Sequence, residues 1–236
     1  MKVILYKFIL LVVVSALSLP CLVYAGGPLP AELKIEAKKQ VATLKGFSID
    51  SLHSLGFDSL SDVDNAELGE GFEVYIIDAL KLLDETTPQD IQSHVSSTNV
   101  WYFPVLIDGK AKSLLQLRLK AGKWVLVGIF PLKLAKEMVD IRAAWPESAG
   151  YQYRFVKIQQ ASSDIIELFL KGKAIGVIPL SSYSRIDKKG KSTEEFNPRD
   201  IRDPKEVLTT LRPVVKQNIE MYKDRKAPKP DRSISE

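Results

Sequence analysis

The chain has 236 residues, with 33 lysines and arginines against 29 aspartates and glutamates, a net charge of +4. Its one cysteine, Cys21, leaves no internal disulfide and no cysteine-rich metal site. The charges are interspersed rather than gathered in a basic stripe, which argues against nucleic acid as a partner.

Residues 1–25 read as an export signal. Lys2 and Lys7 form a basic start, FILLVVVSALSLP an apolar middle, and Val23-Tyr24-Ala25 puts small residues where a signal peptidase requires them. The apolar run is shorter than the roughly 20 residues of a membrane span, and Pro20 interrupts it. Cys21 follows that proline, whereas a lipoprotein signal needs a small residue there. Cleavage after Ala25 is expected to leave 31 basic and 29 acidic residues, no cysteine and no transmembrane anchor. The expected location is the periplasm or the extracellular space. Avoidance of cysteine favours a bacterial envelope over eukaryotic secretion.

Ala31 to Lys45 is expected to be a helix, because Leu33, Ala37, Val41 and Leu44 recur at steps of three and four, with Gly46 at its end. Phe47 to Gly71 reads as an acid-rich loop with at most one short helix. FEVYII, residues 72–77, reads as a strand. Thr87-Pro88-Gln89-Asp90 has the chemistry of a helix start, predicting a short helix to Ser97. A three-strand meander is expected over residues 101–130. Asp108-Gly109 suits its first turn, because both residues tolerate positive φ, and Ala121-Gly122-Lys123 forms its second. Leu115, Leu117 and Leu119 alternate with Gln116, Arg118 and Lys120, the pattern of a half-buried antiparallel strand. Pro104 lacks an N–H, so its strand is expected at an edge or with a bulge there.

Pro131 to Trp145 is the next expected helix, striped by Leu134, Ala135, Met138, Ile141 and Trp145. Three strands follow at residues 151–160, 164–170 and 174–180, the last two joined at Lys171-Gly172-Lys173. After a polar loop over residues 181–202, Asp203-Pro204-Lys205-Glu206 opens a final helix. Val207, Leu208, Leu211, Val215, Ile219 and Tyr222 form its stripe, and Pro213 is expected to kink or restart it. Residues 223–236, basic and interrupted by proline, read as a disordered tail.

Strands that come in runs predict an α+β fold: an antiparallel sheet of about six to seven strands, packed by four or so helices. Residues 26–222 read as one domain, since no linker divides them. Whether the sheet is continuous or forms two lobes meeting near residues 146–150 stays open at this level.

Little in the chain announces chemistry. No HExxH, G-x-S-x-G or P-loop spacing occurs, and the repeated Gly-Lys pairs read as hairpin turns. His53 and His94 read as incidental surface residues. The passage FDSLSDVDNAELGEG offers Asp62, Asp64 and Glu67 as oxygen ligands for calcium, although the glycine and closing glutamate of an EF-hand are misplaced. No cofactor is expected. The chain reads as an exported, non-catalytic binding or accessory module acting through a sheet face or edge. Trp101, Gln116, Arg118, Lys120 and Trp124 are its candidate contacts, with an envelope protein or small ligand as partner. The alternative is a secreted hydrolase using carboxylates from the acidic loop and the meander ends.

Overall fold

The computed structural model describes residues 29–183 and 196–226; the expected signal segment and residues 227–236 of the tail lie outside the described residues. Three two-residue turns organise the sheet. Asp108-Gly109 (φ 50° and 72°), Ala121-Gly122 (49° and 75°) and Lys171-Gly172 (50° and 76°) each place both residues in the left-handed region. That geometry matches the right-handed twist of the flanking strands. The turns join β3 (Val95–Ile107) to β4 (Lys110–Lys120), β4 to β5 (Lys123–Pro131), and β7 (Ser163–Leu170) to β8 (Lys173–Pro179). With β1 (Glu67–Leu68), β2 (Phe72–Ile77) and β6 (Tyr151–Ile158) they form one eight-stranded sheet. Its order is β5-β4-β3-β2-β6-β7-β8, with β1 paired to β3. Neighbours are antiparallel except β2 and β6, whose parallel pairing joins the two halves. The fold is α+β, as the runs of strands predict.

Helix α1 (Ala31–Thr43) buries Leu33, Ala37 and Val41, as its spacing requires. The passage read as a loop holds two short helices, α2 (Ile49–Ser54) and α3 (Leu60–Asp64). Ser48 and Ser59 cap them by accepting from Ser51 N and Asp62 N. A further short helix, α4 (Ala79–Leu83), is capped by Asp78. Helix α5 (Leu132–Ala144) follows β5 without a linker, and α6 (Pro204–Lys226) runs through Pro213 and on to Lys226. Its first turn is held by Asp203, whose Oδ1 accepts from Lys205 N at 2.7 Å. Tyr222, expected in the buried stripe, is 61% exposed.

The sheet is covered on both faces. On the front, α5 packs over Phe72, Val74, Tyr102, Leu114, Phe155 and Ile166. That core reaches from β4 to β8 and ties the halves together. The back face carries two separate clusters. Leu33, Val41 and Leu44 sit on Trp101, Phe103, Leu115 and Leu117 in one. Val207, Leu208, Leu211 and Val215 sit on Val156, Ile158, Ile165 and Val177 in the other.

Two expectations are corrected, and a third is narrowed to one of its alternatives. Leu115 and Leu117 face α1 rather than the helix that begins after Pro131, and Leu119 is part-exposed. Alternation gives a strand two faces but does not say which helix covers which. No α-helix forms at Thr87. Asp90 accepts from Ser93 N at 2.8 Å within a tight turn ending at His94, and β3 starts at Val95. Residues 95–97 pair with β2 instead. Pro104, expected at an edge or a bulge, sits on an interior strand with an irregularity beside it. Its carbonyl accepts from Gly69 N at 2.8 Å, so its N-side points the same way, into the break between β1 and β2. The ladder has no partner there for the missing N–H, and a register shift follows between Val105 and Leu106.

Gly176 admits a crossing at the β8 edge. Its φ is 153°, and a Cβ there would stand 2.3 Å from Ile201 Cγ2. Residues 196–202 pass over it and close by a bridge between Val177 and Arg202, which covers that edge; β5 forms the other.

Candidate functional site

Helix α5 leaves part of the front face open, and Phe130 and Leu134 line that opening together with Lys133, Glu137, Asp164, Ser181 and Ser182. Glu137 lies in the buried stripe between Leu134 and Ile141, 5% exposed. Its Oε2 accepts from Ser181 N at 3.3 Å, while Oε1 is buried without a partner. Burial pushes its pKa up, and the Ser181 bonds and Lys133 oppose the shift. Across from it, Asp164 at the start of β7 receives Lys157 Nζ at 3.2 Å and Ser182 Oγ at 3.1 Å. Ser182 Oγ in turn accepts from Asp164 N at 2.9 Å, so the turn after β8 is clamped against β7.

Glu137 and Asp164 share a pocket of about 240 Å³ with Phe130, Leu134, Ser181 and Ser182. Tyr102 lies beside it, with ring centroids 5.8 Å from Phe130 and 5.3 Å from Phe155. Burial raises the Tyr102 pKa; Lys157 and Arg118 pull it down and Asp164 supports the rise. The phenol therefore sits in the field of charges from both halves of the sheet.

The five expected contact residues divide between the faces. Gln116, Arg118 and Lys120 share the front face with this pocket; Gln116 stands opposite Tyr102 and Arg118 opposite Val100 on β3. Trp101 is on the back, 7% exposed and stacked on Phe103 with 6.4 Å between centroids. Trp124 is also on the back, where it lines a wider groove of about 640 Å³ between α1 and β5 with Ile35, Lys39 and Lys123. No polar side chain of that groove is buried without a partner, so the smaller front pocket is the stronger site.

The acidic passage spends its carboxylates separately. Asp62 accepts from Asp58 N at 2.7 Å and from Ser59 Oγ at 3.2 Å; Asp64 pairs with Lys45 at 2.5 Å; Glu67 is exposed on β1. Among the described residues no group of three or more His, Cys, Asp or Glu side chains stands where it could hold a metal ion. His53 is exposed, with Nε2 3.1 Å from Asp58 O. His94 is not the surface residue expected: it is fully buried, and burial together with Arg212 lowers its pKa.

Glu137 is absent from the residues expected to act, yet its charge between Leu134 and Ile141 in an apolar stripe is a signal visible in the chain. The buried pair of Arg154 and Glu167 is likewise unexpected, and the lone Glu in SDIIELFL is its clue. Among the described residues no helix is long and apolar enough to cross a membrane. Comparison with protein-family models, with curated proteins and with solved structures finds no match to this chain.

Proposed function

We propose that the protein is an exported binding module that holds a small polar ligand on the front face of its sheet, where α5 leaves the face open. The observation behind this reading is Glu137, an almost wholly buried side chain that lines a pocket and whose Oε1 has no hydrogen-bond partner. A buried polar atom left unsatisfied costs stability, and a ligand donor would relieve that cost. Arg118 and Lys157 extend the polar surface from the pocket across the sheet. Ligand screening by thermal shift tests the reading. A ligand that raises Tm should do so less in Arg118→Glu and Lys157→Glu. Arg118→Glu itself should change stability by no more than about 0.5 kcal/mol, as for an exposed site.

A second reading rests on Glu137 and Asp164 lining one pocket in unlike surroundings, the pattern of an acid beside a base. On that reading the protein is a carboxylate-dependent hydrolase. Turnover of chromogenic glycosides or esters that disappears in both Glu137→Gln and Asp164→Asn would establish it. A panel without turnover leaves the binding reading.

A further inference from the structure

Resting on the binding reading above, we infer that the front pocket is a subsite for one ring of a neutral sugar. Its size sets the first limit. At about 240 Å³ it falls below the 300–1,000 Å³ range of pockets for drug-sized ligands, so it suits a single ring.

Charge sets the second. Lys133 on the rim and Lys157, paired to Asp164, oppose an ammonium ligand. Glu137 and Asp164 oppose a carboxylate or phosphate. What the wall accommodates is a neutral ligand that both donates and accepts hydrogen bonds. A small rotation of the Glu137 carboxylate would bring Oε1 to accept one ligand hydroxyl, and the Ser182 Oγ lone pair that Asp164 N leaves unused can accept a second.

The remaining wall is apolar. Phe130, 37% exposed, presents its ring beside Leu134, a surface suited to the C–H face of a pyranose. An aromatic ring in one pocket with hydrogen-bonding partners suits a sugar ring better than glycerol or a short amide.

The test is saturation-transfer and backbone-amide NMR on the full chain with glucose and N-acetylglucosamine. Butylammonium and butyrate serve as charged probes of similar reach. At least one sugar should receive saturation and shift the amides of residues 130–137, 164 and 181–182. Phe130→Ala should weaken it by about threefold to tenfold, the worth of an aromatic contact. Glu137→Gln should weaken it by about tenfold, since its amide turns a donor toward the ligand's donor. Lys39→Ala, in the groove between α1 and β5, should leave affinity unchanged.

Charged probes that bind at this pocket while both sugars do not would overturn the sugar assignment and leave the binding reading standing. Sugar binding that shifts only amides elsewhere would also overturn it. No response on the front face to any probe would sink both. The Phe130 ring also packs on Tyr102, so a melting curve of its variant beside the unaltered chain separates loss of the ligand contact from loss of the fold.

Discussion

Glu167 faces Arg154 across β6 and β7, with Nη1 and Oε2 2.9 Å apart and both side chains almost wholly buried. The guanidinium also lies 4.8 Å from the ring of Tyr75 and 5.2 Å from that of Phe169. Burial pushes the Glu167 pKa up to about 7, against the pull of Arg154. The folded state therefore holds this proton more tightly than the unfolded chain, whose carboxyl titrates near 4.5. Its contribution is complete below that value and is lost as pH rises toward about 7. Glu137 acts in the same direction. His94 acts in the opposite direction: its folded pKa is depressed, so it stabilises above its usual 6.5 and loses that contribution as pH falls. The comparison of Glu167→Gln with the unaltered chain isolates one group from the others. In urea unfolding between pH 4.5 and 7, the variant should lack a slope of at most about 1.4 kcal/mol per pH unit. Parallel curves for the two proteins would show that Glu167 titrates in the folded state as in the unfolded.

At the scale of elements, the hairpins are the part of the fold most directly written in the chain. Asp108-Gly109 carries the preferred residues for its turn, and the structure uses it as expected. Ala121 adopts φ 49° with none of the local hydrogen bonding that lets asparagine tolerate that region. Ala121→Asn should stabilise the protein by about 0.5–1 kcal/mol, read as a rise in Tm of about 1–4 °C. A fall in Tm would mean that the turn is constrained by more than its backbone. The helix expected at Thr87 shows where local signals fail. Its start chemistry is present, yet residues 95–97 gain more by pairing with β2 than by completing a turn. The Leu115, Leu117 and Leu119 row was legible as a strand face, while its covering helix was not. That choice depends on how α5 turns back from β5, a matter of three dimensions.

For the whole molecule, one front core spans the sheet, while the back face carries two separate clusters, one under α1 and the other under α6. This arrangement predicts unequal cooperativity. Leu33→Ala, in the cluster under α1, and Met138→Ala, in the front core, remove fully buried side chains and should each cost about 2–5 kcal/mol. Native-state hydrogen exchange should separate them. Loss of Leu33 should raise exchange chiefly in α1, β4 and β5, whereas loss of Met138 should raise it from β4 through β8. Equal acceleration everywhere in both variants would show that the back clusters open only with the entire fold.

Local pattern along the chain specifies the α+β class, the strand runs and their turns, the inward stripe of α1, most of those of α5 and α6, and the absence of familiar catalytic spacings. These are properties of neighbours a few residues apart, set by φ preference and by periods of two and 3.6. Tertiary structure alone decided that one sheet is shared by both halves, that Trp101 lies under a helix, and that Glu137 meets Asp164. The last two residues are separated by β6 and the turns around it, and their meeting depends on the parallel pairing of β2 with β6. No local pattern encodes that pairing, because its hydrogen bonds join strands far apart in the chain.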